Sequence, residues 1–313
     1  MFKYFLRRLL VTLLTIVGAM VLLFIIIQFL PGDPASVMLG PRATPEIIEE
    51  MRAKMWLDRP VYQQLARFLF NVIRGDLGRD VLNHMSVRKQ VMNVLPHTIA
   101  LSTISILIAT IIGIPLGTFS AAKRNSLIDR ITGFFSISMI AIPPFLAGVL
   151  FLLIFSVYLN WFPSMGGGEE GNLMSQIWHL VLPTFSLALG WIGYIARIMR
   201  ASVLEELRKD YVNTARSKGL KEYVVIFRHA VRGALIPVIA VLGVGFGNLL
   251  GGAVLVEIIF HRHGLGNLLY NAIQSRNFPV VQGGLIIAVF LYSIANLIAD
   301  LSYGFFDPRL RSE

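Results

Sequence analysis

Histidines and carboxylates are the side chains of this 313-residue chain that could carry catalysis, metal binding or proton transfer. Of the six histidines only His261 and His263 lie close together, and this pair is more typical of a solvated turn than of a metal site. Glu257 and Asp300 lie at the ends of apolar runs, which gives little support to a proton relay inside a membrane. The chain has neither a G-x-x-x-x-G-K-[ST] phosphate loop nor an H-E-x-x-H zinc pair. We therefore expect no catalysis, metal or cofactor in the chain itself.

A short basic stretch, DYVNTARSKGL at Asp210–Leu220, is unusual because long apolar runs flank it. As a helix over 203–219 it would have an apolar stripe and a basic remainder. The stripe is Leu204, Leu207, Tyr211 and Ala215, and the basic residues are Arg208, Lys209, Arg216 and Lys218. Gly219 suits the left-handed conformation that ends a helix, and a second helix would lead onward. The pattern fits both a groove in another protein and a surface of anionic lipid.

The elements that must position this stretch are long apolar runs. The chain is 55% hydrophobic and 15% charged, with a mean hydropathy of +0.68, whereas soluble domains are about 25% charged. A membrane helix needs about 20 apolar residues. The qualifying windows are Leu9–Leu30, Thr98–Ala122, Ile131–Tyr158, Trp178–Ile198, Ala234–Ile259 and Val280–Leu301. Because helices satisfy their own backbone polar groups in lipid, we predict an all-α membrane protein with six transmembrane helices. The first window is too long for a signal peptide and is expected to be retained.

The net charge of +10 is distributed in a way that indicates topology rather than nucleic-acid binding. Lysine and arginine number three before the first window, three in 121–130 and nine in 197–232, but none in 160–177. The positive-inside bias therefore places both termini and the 197–232 loop in the cytoplasm.

The segment 31–97 would then lie outside the cytoplasm. Thr44 and Pro45 fit the start of a helix, VYQQLARFLFNVIRG fits a second, and RGDLGRD fits a turn. A cap packed on the bundle and a docking surface for an external partner both agree with this pattern.

Prolines and glycines in the apolar windows are candidates for shaping a translocation path. Pro143 and Pro144 would kink the third window, which could equally be a structural bend. The pairs Gly113/Gly117 and Gly243/Gly247 are four residues apart, a spacing that permits close helix approach. The path candidates are Pro143, Pro144, Gly247 and Gly251.

Several motifs in order carry a family resemblance. They are DYVNTARSKGL with FRHAVRGALIPV, LPGDPA at Leu30–Ala35, LDRPVYQQ, RGDLG, GLGNLL, FPVVQGG and DPRLR. Across essentially the whole chain they closely resemble permeases of the dipeptide/oligopeptide/nickel group of ATP-binding-cassette (ABC) importers. Three places depart from the general permease pattern. Asn213-Thr214-Ala215 stands for Glu-Ala-Ala, Val231-Arg232 for Leu-Pro, and His263-Gly264-Leu265-Gly266 for Pro-Gly-Leu-Gly.

The resemblance implies a type I ABC importer-like bundle of six helices, with a helical extracytoplasmic segment after the first. It divides the chain into a tail and first helix (1–30), an outer segment (31–97), a five-helix core with a coupling loop at 199–232 (98–302) and a cytoplasmic tail (303–313). The helix over 203–219 would dock on an ATPase. Its coupling residues would be Leu207, Asp210, Tyr211, Ala215, Arg216, Lys218, Gly219 and Leu220.

The implied partners are a second homologous permease, two cytoplasmic ATP-binding subunits, an extracytoplasmic substrate-binding protein and membrane lipid, without nucleic acid. ATP and Mg would be held by the partner subunits, and the location would be a bacterial or archaeal cytoplasmic membrane. The implied cargo is di- or oligopeptide, with nickel or glutathione as alternatives. A self-sufficient secondary transporter and a membrane enzyme are rival classes. The first would need intramembrane acids or an inverted repeat, and the second would need convergent polar groups.

Overall fold

The computed structural model describes residues 2–29, 34–39, 43–169 and 171–306. In these ranges the regular structure is helical apart from one isolated bridge between Arg79 and Ser86, which confirms the all-α prediction. Residues 30–33 of the LPGDPA motif, the DPRLR motif at 307–311 and the rest of the tail lie outside the described residues.

Thirteen helices follow one another in the described ranges. They are α1 (Phe2–Phe29), α2 (Pro34–Leu39), α3 (Pro45–Met55), α4 (Val61–Ile73), α5 (Val87–Ala122), α6 (Leu127–Ala141), α7 (Pro144–Phe151), α8 (Leu173–Glu206), α9 (Asp210–Ser217), α10 (Glu222–Val224), α11 (Val231–Ile259), α12 (Leu265–Gln274) and α13 (Phe278–Phe306). Two π-helical stretches extend them: Leu152–Tyr158 continues α7, and Val225–Ala230 joins α10 to α11.

Five of these elements are long and apolar enough to span a membrane: α1, α5, α8, the unit from α10 to α11, and α13. The sixth predicted span is a bent pair, because α6 and the stretch Pro144–Tyr158 meet at 101°. The window Ile131–Tyr158 is therefore two helices that meet at an angle. Proline disfavours a helical conformation in the residue before it, and both Ile142 and Pro143 have extended backbones. The predicted kink is thus a complete break.

Helix α8 is the centre of the bundle and packs against α5, α6, α7 and α11. Ile195 and Met199 of α8 are fully buried in one apolar core with Leu101 of α5. Close approach of α5 depends on glycine, since a Cβ at Gly117 would lie 2.3 Å from the carbonyl oxygen of Ala196. The small-residue spacing therefore has the packing role that the sequence predicted.

The outer segment contains the two predicted helices as α3 and α4. Thr44 precedes α3 with an extended backbone, but its side chain makes no capping hydrogen bond. Helix α4 lies beside the end of α1: the rings of Phe24 and Phe68 are 5.7 Å apart, and Gln28 Nε2 donates to Gln64 Oε1 at 2.8 Å. The segment is thus packed on the bundle through α1.

Asp80 ties the following turn to the start of α13. Its carboxylate accepts hydrogen bonds from Gln90 Nε2 at 2.7 Å, from the Leu82 amide at 2.8 Å and from Asn277 Nδ2 at 2.5 Å. Burial favours a higher pKa for Asp80, but these hydrogen bonds outweigh it and hold the pKa below its usual value. The turn is therefore fixed by a buried, charged acceptor.

Candidate coupling segment and translocation cavity

The predicted helix over 203–219 is two helices with a corner between them. Helix α8 ends at Glu206, and the amides of Arg208 and Lys209 donate to carbonyls three residues back, which closes a tight turn. Lys209 then has an extended backbone, and α9 begins at Asp210. An acidic residue in the first turn of a helix is favourable next to the positive end of the helix dipole. The predicted continuous helix over 203–219 is therefore wrong.

The apolar side of α9 faces its own chain. Val212 is fully buried and Ala215 is 7% exposed, and both belong to one cluster with Val225 and the partly buried Leu207. Leu204 packs against the main core. The prediction that the apolar stripe fills a groove in another protein is therefore wrong for Leu204, Leu207 and Ala215, which pack against their own chain. Apolar side chains beside the bundle are stabilised by burial against their own chain, and this burial requires no partner protein.

The outward side of α9 and the following turn is polar, with two half-exposed apolar residues. Tyr211 is 45% exposed and Leu220 39% exposed. The remaining exposed residues are Asp210, Asn213, Thr214, Arg216, Ser217, Lys218 and Gly219. Asn213, Thr214 and Ser217 of this face were not among the coupling residues predicted from the sequence. Their helical spacing opposite Val212 and Ala215 was the available signal.

Glu206 braces the corner between α8, α9 and α11. Its carboxylate accepts a hydrogen bond from the Tyr211 hydroxyl at 2.5 Å and pairs with Lys209 Nζ at 2.5 Å. The same carboxylate lies against Gly233 of α11, where a Cβ would be 2.6 Å from Glu206 Cδ. Burial and the Glu206 charge raise the pKa of Tyr211 to about 12, so this phenol stays protonated and keeps donating.

A second brace closes the other end of α9. Arg216 donates to both carboxylate oxygens of Glu222, at 3.1 Å from Nε and 2.7 Å from Nη2. Between them Gly219 has a φ of +74°, and its amide donates to the carbonyl oxygen of Arg216 at 2.9 Å. The predicted left-handed conformation is confirmed. A Cβ at Gly219 would meet nothing within 4 Å, so the requirement for glycine is conformational and not steric packing.

A cavity of about 710 Å³ lies at the break between α6 and α7. Its walls come from α6, α7, α8, α11 and α13. They include Pro143, Pro144, Leu187, Trp191, Tyr194, Val241, Val244, Asn248 and Asp300. Both prolines proposed from the sequence therefore line this cavity.

The two glycine candidates for the path lie elsewhere. Gly247 packs α11 against α13, since a Cβ there would lie 3.2 Å from the ring of Tyr292. Gly251 lines a separate cavity of about 290 Å³ beside α12, together with Thr98. The structure therefore does not bring these glycines to the walls that the prolines line. Helix spacing alone could not distinguish a packing face from a cavity wall.

Glu257, one of the two carboxylates singled out from the sequence, is held by hydrogen bonds from neighbouring helices. Its carboxylate is buried and accepts from Thr98 Oγ1 at 2.6 Å and from the Gly266 amide at 2.7 Å. The Leu265 amide in turn donates to Thr98 Oγ1 at 2.8 Å. These bonds join α5, α11 and the start of α12.

Asp300, the other carboxylate, pairs with Arg8 of α1 at 2.9 Å. Among the described residues no group of three histidine, aspartate or glutamate side chains could hold a metal ion.

Two family models together account for nearly all of the chain. The model described as "Binding-protein-dependent transport system inner membrane component" matches residues 113–312, and the model of the N-terminal part of the same component matches residues 1–102. The chain belongs to this permease family. It is a permease subunit of an ABC importer, a multi-pass inner-membrane protein that works with ATPase and substrate-binding components.

Individual relatives agree with this assignment along the whole permease. A putative peptide transport system permease protein of Brucella abortus is 41% identical, covering 93% of each chain. The glutathione transport system permease protein of Pectobacterium atrosepticum is 36% identical and the dipeptide transport system permease protein of Escherichia coli 34%, each covering 99% of both chains. A solved structure titled as inward-facing conformations of the MetNI methionine ABC transporter has a TM-score of 0.57 at 17% identity, covering 70% of this chain and 96% of that one. The permease therefore has the fold of an ABC importer membrane subunit.

Proposed function

We propose that this permease forms one half of the translocation path of a peptide importer. A second homologous permease completes the path, and two ATP-binding subunits dock on the α9 corners. The observation that carries the proposal is the outward polar face of α9, since its apolar side is already satisfied by its own chain. A partner would contact Asp210, Tyr211, Asn213, Lys218 and Leu220, with neighbouring residues of the same face.

The contacts of Glu206 and of the Arg216–Glu222 pair connect the outward face of α9 to the helices that line the cavity. Glu206 joins α9 to the end of α8 and to the start of α11, while Arg216 and Glu222 join α9 to α10. Helix α8 contributes Trp191 and Tyr194 to the 710 Å³ cavity, and α11 contributes Asn248. An ATPase that displaces α9 would therefore displace two cavity walls, and the bundle would alternate between inward and outward openings.

The proposal assigns the remaining parts as follows. Both termini and the corner lie in the cytoplasm, because the basic residues of the tails and short loops lie on that side; the nine in the long segment 31–97 weigh little in the positive-inside rule. The segment 31–97 helps to dock the substrate-binding protein, and the five helices of 98–302 form the core. The chain itself has no catalytic role and binds no cofactor. ATP and Mg are held by the ATPase subunits.

Peptide is the cargo that the cavity and the relatives support best. The described residues that line the cavity include two aromatic side chains, an amide and one carboxylate, and none of them is a histidine. Nickel would favour imidazole ligands, so this lining gives nickel no support. Glutathione, itself a small peptide, remains the second candidate because a 36% identical relative is named for its transport.

Reconstituted uptake tests the proposal. Proteoliposomes with the complete complex should accumulate labelled dipeptide only when ATP is inside and the substrate-binding protein is outside. Glutathione and nickel are offered in parallel, and liposomes without the ATPase subunits are the control. Equal uptake without the ATPase would contradict the importer mechanism, while preference for glutathione or nickel would replace the peptide assignment.

The proposed topology has its own test, since the chain contains no native cysteine. Single cysteines at Ser164 or Gly171 should react with an impermeant maleimide in intact cells, and one at Ser217 should react only after the cells are opened. Reaction of the Ser217 variant in intact cells would overturn the orientation.

A further inference from the structure

A second polar cavity, distinct from the translocation cavity, lies between α6 and α8 near the corner end of the bundle. Its volume is about 350 Å³, and Asp129, Arg130, Arg197 and Arg200 are among its lining residues. Three cations therefore share the cavity with one carboxylate. Nothing in the transport mechanism described above uses this group of charges.

The one carboxylate of the cavity is already neutralised. Arg200 donates to Asp129 through Nε at 2.6 Å and through Nη2 at 2.8 Å. Ser120 Oγ donates to the same carboxylate at 2.6 Å, and the Asn125 amide donates at 2.9 Å. Asp129 is buried, so these groups form a fixed floor between α5, α6 and α8. The floor contributes no net charge.

Arg130 and Arg197 form a cationic rim of the cavity, and within the described residues their charge is not neutralised by an ion pair. Both are exposed, and in the part of the chain that the structure describes no carboxylate lies within 4.0 Å of either guanidinium. Guanidinium groups present several donors in a geometry that matches a phosphate. The rim therefore suits a phosphate group in particular.

The surface of α6 beside the rim is apolar and exposed. Ile131 is 53% exposed, Phe134 69% and Ile137 60%, and Ile137 also lines the cavity. A Cβ at Gly133, another lining residue, would meet nothing within 4 Å, so this side of the cavity is open. A ligand that satisfies both surfaces has an anionic head and an apolar tail. Because α6 belongs to a candidate membrane span, this apolar face meets lipid, and an anion that reaches the rim from the bilayer is a phospholipid headgroup.

We propose that this cavity binds the phosphate headgroup of an anionic phospholipid, with an acyl chain along the apolar face of α6. Basic pockets between membrane helices on the cytoplasmic side are a general form of site for such headgroups. The phosphate would bridge Arg130 of α6 and Arg197 of α8, and so would hold the first arm of the bent pair against the central helix. The inference rests on the proposed orientation but on neither cargo nor ATPase, so its failure would leave the importer function intact.

Native mass spectrometry of the purified complex is the direct test. The complex is equilibrated with equimolar phosphatidylglycerol and phosphatidylcholine, and the lipids retained by the permease are counted. We expect preferential retention of phosphatidylglycerol. The double variant Arg130→Gln/Arg197→Gln should weaken that retention roughly thirtyfold, which corresponds to about 1 kcal/mol for each arginine near a membrane surface. The matched control Lys123→Gln/Arg124→Gln removes two exposed charges in the adjacent turn and should retain the lipid.

Further measurements test lipid binding at this cavity. Equal retention of both lipids by the wild-type complex, or unchanged retention by the Arg130→Gln/Arg197→Gln variant, would overturn it. Displacement of phosphatidylglycerol by millimolar inorganic phosphate would indicate a soluble anion site instead. If the double variant does not assemble, the wild-type complex still decides the matter. Its retention of phosphatidylglycerol, but not of phosphatidylcholine, should decrease as salt rises, because the contact is electrostatic.

Discussion

The region around α12 and the α9 segment are fixed by different physical means. At the end near α12, the carboxylates of Glu257 and Asp80 are buried and each is held by several short hydrogen bonds. At the α9 end, the Arg216–Glu222 pair is exposed by 39% and 55%. Buried charges are costly unless every bond is made, whereas exposed pairs are weak and screened by salt.

This difference separates a locked end from an adjustable one. At the locked end, one lost partner leaves a charge or an amide unsatisfied in an apolar environment. At the α9 end, the exposed Arg216–Glu222 contact can be exchanged for water or for a partner at little cost, whereas the nearby Asp129 is buried and fixed. An end that must move with an ATPase is better served by the second arrangement, and variants at the two ends should respond accordingly.

Glu257→Ala should produce the largest loss of stability. It leaves the Thr98 hydroxyl and the Gly266 amide without their carboxyl acceptor, which costs about 3 kcal/mol. Thermal unfolding of the purified permease measures it. Glu257→Gln, which keeps one acceptor oxygen, should lose less, and Glu205→Ala, an exposed carboxylate at the other end, should lose almost nothing. An unchanged unfolding temperature for Glu257→Ala would contradict the idea of a locked end.

Gly219→Val should have the second-largest effect, and this effect should be mainly on assembly with the ATPase subunits. A β-branched residue with φ near +74° costs on the order of 1–2 kcal/mol of local strain. We expect normal abundance in the membrane, weaker ATPase association and loss of uptake. Gly219→Asn should be milder, because asparagine tolerates this conformation.

The control for Gly219 is Lys218→Ala, which removes an exposed charge without changing the backbone. Abundance, ATPase pull-down and uptake are measured for all three variants. Normal uptake by Gly219→Val would remove the α9 corner from the mechanism.

Asp80→Asn should give a smaller loss, about 1 kcal/mol at neutral pH, with a pH signature. The folded-state pKa of Asp80 lies below its unfolded value, so its contribution is present above about pH 4 and is lost as the pH falls through the folded pKa. Unfolding temperatures at pH 7 and pH 3.5 should therefore differ less for this variant than for the wild type. Asp58→Asn, an exposed carboxylate of the same segment, is the control. An unaltered pH difference in Asp80→Asn would assign the acid sensitivity to other groups.

The sequence predicted what depends on local rules. Hydrophobic run length indicated the spans, and the glycine at the end of a polar helix indicated positive φ at Gly219. Two adjacent prolines indicated a disturbance at Pro143. It could not give the angle of 101° at that break, because the angle depends on how α7 packs against α8 and α11.

Features that depend on tertiary contacts were missed. Helix α12 was not predicted, since its apolar run is short and Gly264 and Gly266 lie at its start; burial of Leu265 and Leu269 against α13 and α5 stabilises it. The stripe through Ala215 was assigned to a partner, because the pattern shows that a face is apolar but not what covers it. The polar face of α9 follows only once Val212 is known to be buried.

The smallest effect on stability should come from Arg216→Glu at the adjustable end. An exposed ion pair contributes about 0–1 kcal/mol, so the unfolding temperature should change little. Uptake per ATP hydrolysed should nevertheless fall several-fold, because α9 would no longer be held to α10 and would transmit ATPase motion poorly. The double variant Arg216→Glu/Glu222→Arg restores the pair with reversed charges and should recover most of the uptake. If the reversed pair forms but uptake stays low, Arg216 acts by contacting the ATPase directly, and the brace is not the means by which this end moves the bundle.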